Sequence, residues 1–477
     1  MTIASAVHGT STRPATDSRG RAPSPGLTLF AALFGFFLIT LDATVVTVAL
    51  PAVSSDLGGG LAGLQWVVDG YTLAFAALML STGALSDRIG ARRAYASGIT
   101  VFTLASAACG LAPGLPVLIG SRVLQGVAAA VLLPASLALV RQAYPEPARR
   151  ARAVSLWAAG GSVAVALGPV AGGALTSAWS WRGIFFINVP VCAVALLLLS
   201  RTPRSHRRPA PLDLAGQLTA VLMLASVTFA VIEGGTAGIV AGGVALVMLA
   251  VFLRVESRHR HPVVPLGLFR NRAVSVSLGA GAANSIAFYG LIFVLSLFFQ
   301  QVRGQSAMSA GLMFLPMSAL IPLVNVLAGR LADRFGPRVP MLVGQLVAAA
   351  GALLLLTVSR RTPDVLVAVA LMPLALGTAL TVPPLTATML EAVPGERAGL
   401  AAGVLNAGRQ ISGGLAVAVF GGLVAGGGFA AGMRTSLLVS AVLLALSALA
   451  TARLRTARMT LRPAAAGSTE EPAAPAG

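Results

Sequence analysis

Fourteen apolar runs, most of them about as long as a bilayer-crossing helix, divide this 477-residue sequence from one end to the other. A hydrocarbon core about 30 Å thick needs roughly 20 mostly apolar residues per helix. The runs lie near 27–50, 65–85, 94–112, 116–140, 153–177, 184–200, 214–232, 237–253, 273–299, 308–328, 340–358, 365–389, 399–424 and 435–452. Barrel strands would alternate apolar and polar residues over about ten positions, whereas these runs are continuous. An all-α polytopic membrane protein with fourteen transmembrane helices is predicted. Only 10% of residues are charged, against about 25% in soluble domains, so water-soluble surfaces could not be covered. Cys109 and Cys192 both sit in apolar runs and read as small buried thiols.

The basic excess fits the same picture. All 34 basic residues are arginine, and they face 15 acidic ones, a formal charge of +19. Such an excess would ordinarily suggest nucleic acid. Here the placement decides. With a cytoplasmic N-terminus, 27 arginines fall in inner segments and five in outer loops: Arg182, Arg303, Arg360, Arg361 and Arg434. Arg122 and Arg409 lie inside runs. The positive-inside rule then predicts cytoplasmic termini, a multi-pass protein of the cell membrane, a lipid partner and no nucleic-acid partner. The loop holding Arg360 and Arg361 is the one that runs against this orientation. Residues 1–26 and 455–477 read as polar cytoplasmic tails.

One segment recurs. GALSDRIGARR occupies 83–93 and GRLADRFGPR occupies 329–338, with Gly83, Leu85, Asp87, Arg88, Gly90 and Arg92 matched by Gly329, Leu331, Asp333, Arg334, Gly336 and Arg338 at a constant offset of 246. Each copy follows the second run of a six-run set. The chain therefore divides into a six-helix half (27–200), a linker with two extra helices (201–272) and a second six-helix half (273–454). Many secondary transporters are built from such repeats around a central site. Asp87, Arg88, Asp333 and Arg334 could latch one half to the other; ordinary positive-inside loops are the competing reading, which arginines alone would satisfy without the Gly and Asp positions.

Several strings resemble the major facilitator superfamily, and specifically its fourteen-helix drug:proton antiporter family. LDATVVTVALP (41–51) is similar to that family's first-helix signature, with Thr47 where asparagine is usual. GALSDRIGARR is similar to its loop motif, RVLQGVAAA (122–130) to its fourth-helix motif, and LGPVAGG (167–173) to its antiporter motif. WRGIFFINVP (181–190) and LNAGRQISGG (405–414) are further family-like strings. The short segment between the last two runs looks most like the methylenomycin-resistance type of exporter. The resemblance implies the major facilitator fold and a proton-coupled exporter of small drugs or antibiotics working by alternating access. No cofactor and a monomer are expected. A symporter for a small metabolite is the alternative, which the LGPVAGG string disfavours. An enzyme would need a metal cluster or nucleophile–base pair, and no HxxxH, CxxC or Ser–His pairing is present.

Few ionisable groups lie within the runs. Counting at about 1.5 Å per residue puts Asp42 and Arg122 at a shared depth, with Gln125 one turn from the arginine. An acid there must find a cation or take up a proton, so Asp42 can exchange the two, while Arg122 stays charged. A static structural pair is the competing reading. Asn284, Asn406, Arg409 and Gln410 could contact substrate or tie helices together. Asp69 and Glu233 lie near the outer ends of their runs, as solvated interface carboxylates or substrate contacts. Gly168, Pro169, Gly172 and Gly173 predict a bent, close-packed helix; the resemblance implies that this segment seals the path against leak. His8, His206, His259 and His261 all fall in tails or inner loops, so the proton is expected to ride on a carboxylate.

Overall fold

Continuous apolar sequence folds into continuous helix here, because a helix satisfies every backbone polar group within its own segment. The computed structural model describes residues 25–202, 205, 213–259, 262, 264–394, 397–426 and 428–454. Apart from Pro25 and Gly26, the tail residues within 1–26 and 455–477 lie outside this description, as do His206 and His261.

In chain order the long helices are α1 (Pro25–Leu57), α2 (Gly60–Ile89), α3 (Ala91–Gly110), α4 (Leu115–Ala143), α5 (Pro147–Ala178) and α6 (Gly183–Ser200). After them come α7 (Leu214–Glu233) and α8 (Gly235–Arg258). The second half holds α9 (Arg272–Val302), α10 (Ala307–Phe335), α11 (Arg338–Thr357), α12 (Asp364–Glu391), α13 (Ala398–Gly426) and α14 (Phe429–Ala452).

Thirteen of the described helices are long and apolar enough to cross a membrane. The exception is α3, which fills the place of the predicted third run but opens on Arg92 and Arg93 and carries Ser97, Thr100, Thr103 and Ser106. Several helices overrun their predicted segments; α1 continues to Leu57 and α5 starts at Pro147. Hydropathy marks the hydrocarbon-facing part of a helix and is blind to turns that extend beyond it. One of the two shortest predicted runs, α6, is two pieces, Gly183–Phe186 and Asn188–Ser200, joined through Ile187 in helical conformation.

The six helices before the insertion pack together, as do the six after it, and the halves meet through α2 on α13 and α5 on α10. Inserted α7 lies against α2 and α13, where Gln217 Nε2 donates to the Ala77 carbonyl at 2.5 Å. Outside it, α8 packs on α7 and leaves Ile239 and Leu246 facing outward. The hydrogen bonds described between halves begin at mid-depth, with Asn325 to Ser162 at 3.4 Å, and continue away from the chain termini. There Gln65 Nε2 donates to the carbonyls of Val417 (3.2 Å) and Ala418 (2.5 Å). Ser296 reaches the Thr47 carbonyl at 3.0 Å and Gln300 that of Val48 at 2.9 Å. The bundle is zipped at this end.

The two repeated loops, at the opposite end, do equivalent work. Gly90 and Gly336 turn the chain with φ of +92° and +78°, values that favour glycine. Arg92 Nη2 donates to the Ser200 carbonyl at 3.1 Å, and Arg338 Nη2 donates to that of Ala452. Each acceptor is the last residue of its half's sixth helix, so each arginine caps a helix C-terminus.

Candidate functional site

Asp42, Arg122 and Gln125 meet inside the first half. Arg122 Nη1 pairs with Asp42 Oδ2 and donates to Gln125 Oε1 at 3.0 Å, while Gln125 Nε2 reaches Asp42 Oδ1 at 3.3 Å. Arg122 Nε donates to the Val67 carbonyl at 3.0 Å, and its guanidinium lies 4.3 Å from the Tyr71 ring centre, a cation–π distance. Both charged groups are withdrawn from solvent, Asp42 at 0% exposure and Arg122 at 1%.

Sequence reasoning missed two members of this cluster. Asn188 Nδ2 donates to Asp42 Oδ1 at 2.8 Å, and also lies 3.0 Å from Ser106 Oγ, which donates to the Phe185 carbonyl at 2.8 Å. Asn188 stands in the family-like WRGIFFINVP string, and an amide opening an apolar run was the available signal. Ser106 gave none, since hydroxyls are common in membrane helices.

Between the halves lies a cavity of about 40 Å³, room for a few waters. Thr44, Thr47, Val68 and Thr72 line it from the first half, and Phe288, Tyr289, Ile292, Gln410, Gly413 and Gly414 from the second. Asp42, Arg122 and Gln125 do not line it. Asp42 lies immediately behind its wall, next in sequence to the lining residues Ala43 and Thr44.

Asp69 departs from the reading as a solvated interface carboxylate. It is fully buried against α13, with Oδ1 accepting from Thr72 Oγ1 at 3.4 Å and Oδ2 without a partner among the described residues. A Cβ on Gly414 would lie 3.3 Å from Asp69 Oδ1. Depth along α2 alone could not reveal the cover that α13 provides. Glu233 is exposed and accepts from Trp66 Nε1 at 3.0 Å, pinning α7 to α2 away from the cavity.

The antiporter-motif residues sit at a three-helix seam. A Cβ on Gly168 would strike Thr44 Oγ1, and one on Gly172 would stand 2.5 Å from the Val45 carbonyl, both on α1. On the other side, a Cβ on Gly173 would stand 2.5 Å from the Ala307 carbonyl on α10. Gly311 of α10 lies so close to the Pro169 carbonyl that a Cβ there would collide with it. The glycines let α5 wedge between the halves. Among the described residues, Asp87, Arg88, Asp333 and Arg334 are exposed and form no ion pair. The expected latch is therefore not made in this conformation.

Arg409 is half-buried, Asn284 is buried and Asn406 is exposed. An unpaired charge at the centre of a membrane costs at least about 2.5–3.5 kcal/mol, and no carboxylate pairs with Arg409 among the described residues.

Comparison with known proteins agrees with this architecture. The family model described as Major Facilitator Superfamily matches residues 32–417. The chain is 40% identical over 407 residues to the multidrug resistance protein Stp of Mycobacterium tuberculosis, covering 84% of this chain and 76% of that protein. It is 37% identical over 410 residues to the methylenomycin A resistance protein of Streptomyces coelicolor, covering 84% and 86% respectively. Among solved structures, a bacterial homolog of the human lysosomal transporter Spinster, inward-facing and unoccupied, superposes with a TM-score of 0.66. That match has 20% identity and covers 91% of this chain and 97% of the other.

Proposed function

Because the chain belongs to the Major Facilitator Superfamily, we propose that it is a proton-coupled exporter of small amphipathic drugs or antibiotics. The buried Asp42–Arg122 pair, directly behind the cavity wall between two halves zipped at one end, carries the mechanistic part of this reading. Similarity to drug- and antibiotic-resistance proteins, and at 36% identity to a drug efflux pump of Mycobacterium tuberculosis, supports the direction of transport.

In this mechanism fourteen helices cross the membrane with both termini in the cytoplasm, and the monomer works alone. The zipped end is then the outer gate, closed by Gln65, Ser296 and Gln300, and α5's glycine face seals it. A proton arriving at Asp42 neutralises the carboxylate and releases Arg122 from its ion pair. The cluster repacks, the seam opens, and the repeated loops close on the cytoplasmic side through Asp87, Arg88, Asp333 and Arg334. One proton entering down about 100 mV and one pH unit supplies about 3.7 kcal/mol. That sustains a gradient of roughly 500-fold for a neutral substrate.

The test is expression in a drug-sensitive, pump-deficient host, with uptake into inverted vesicles measured for a panel of dyes and antibiotics. Accumulation that collapses with the pH gradient is expected; accumulation indifferent to it refutes proton coupling. Reporter fusions at 233–236 and 427–433 should read external, and those at 203–209 and 262–268 internal.

A further inference from the structure

The cavity's lining continues beyond its floor along two helix faces. On α13, Asn406, Arg409, Gln410, Gly413, Gly414 and Val417 recur at spacings of three and four, which is one helix face. The last four of these line the cavity, so the face carries on toward the end with the repeated loops through Arg409 and Asn406. On α9, Phe288 and Ile292 line the cavity, and Asn284 lies one turn below Phe288 on the same face. The helices touch at this level: a Cβ on Gly281 would come within 3.2 Å of Arg409 Cγ.

Both side chains have bonding capacity that the protein leaves unused. Asn284 is 3% exposed and no hydrogen bond is described for its amide, whose Nδ2 is a donor free to face a ligand acceptor, and Arg409 Nε is buried without a partner. A guanidinium has five N–H donors and no acceptor, so only a group rich in acceptors can satisfy Arg409. Asp42 does this for Arg122. Nothing among the described residues does it for Arg409, which is half-buried on the helix face that lines the cavity one turn further on.

We propose that Arg409 and the Nδ2 of Asn284 form a subsite for the carboxylate of an amphipathic organic acid, just beyond the narrow cavity on the faces that α9 and α13 share with it. A planar carboxylate matches the fork of a guanidinium through two parallel hydrogen bonds. At the other end of the cavity Asp69 touches Gly414, five residues further along α13, about 7–8 Å by helix rise; it is a carboxyl, so among these groups Arg409 is the cation an acid can pair with. An anion leaving an inside-negative cell is also pushed outward by the membrane potential. The proposal rests on the cleft being the transport path and names its substrate class.

The experiment uses the purified full-length chain in detergent and two probes, 1-pyrenebutyrate and its methyl ester, by equilibrium dialysis. Wild type should bind the acid at least about tenfold more tightly than the ester, as one charge-assisted bidentate contact implies. Arg409→Gln should bring the ratio within twofold by weakening the acid far more than the ester, while ester binding remains measurable, which a misfolded variant would not show. Arg409→Lys keeps the charge without the fork and should retain a smaller preference. A wild-type ratio near one, a preference that survives Arg409→Gln, or failure of both probes to bind overturns the subsite. Intact acid preference in a protein that exports nothing from cells would overturn the efflux reading and leave the subsite standing.

Discussion

The two halves share a frame and differ in what they bury. At the offset of 246 that aligns the repeated loops, Asp42 corresponds to Phe288, Arg122 to Ala368 and Gln125 to Leu371. Where the first half holds a closed network of charge and amide, the second is apolar. In the reverse direction Arg409 corresponds to Val163 and Asn284 to Leu38. The second half thus keeps a cation with no anion, on a face toward the cleft, while the first keeps a pair turned inward on itself. Duplicated features such as the Arg92 and Arg338 caps hold the scaffold. The chemistry lies where the duplication breaks down.

The largest expected effect tests that asymmetry. Arg122→Leu strands a buried carboxylate, a loss of about 3–5 kcal/mol, whereas Ala368→Ser at the equivalent, half-buried position strands no charge and should cost about 1 kcal/mol or less. Thermal unfolding in detergent reads both, and the Asp42→Asn/Arg122→Leu double variant should recover most of the loss. Equal costs at the two positions would erase the contrast between the halves.

Next in size is the seam. Gly173→Ala drives a Cβ into the Ala307 carbonyl, overpacking worth about 1–3 kcal/mol, and should part the zipped end. The distance between spin labels at Ser177 and Met308 should lengthen. Gly83→Ala, with nothing within 4 Å of the added atom, should leave that distance unchanged. At the same end, Gln65→Leu removes two hydrogen bonds across the halves at about 0.5–1.5 kcal/mol each. The same labels should show a shift toward the parted state of roughly tenfold, and an unchanged distribution would remove Gln65 from the gate.

Much of the frame is legible in the sequence, because membrane helices must be long, apolar and arginine-flanked on one side. The shared depth of Asp42 and Arg122 is equally legible, since it follows from counting residues along two helices. What depth cannot give is azimuth. Asp69 looked solvated from its place along α2, yet α13 covers it. Asn188 closes the Asp42 cluster from a helix whose rotation no run of leucines discloses. Asp87 and Asp333 carry the loop pattern of a latch, but which loops touch depends on the conformation, and this one leaves them apart.

Proton exchange at Asp42 is the centre of the account, and substrate-induced proton release from the purified chain tests it most directly. A pH-sensitive dye would follow wild type beside Asp42→Asn as an exported drug is added in weakly buffered detergent. Wild type should release protons in proportion to bound drug. Asp42→Asn, which mimics the protonated acid, should still bind a neutral drug and release none. Normal release from Asp42→Asn would contradict the assignment and move the coupling acid to Asp69.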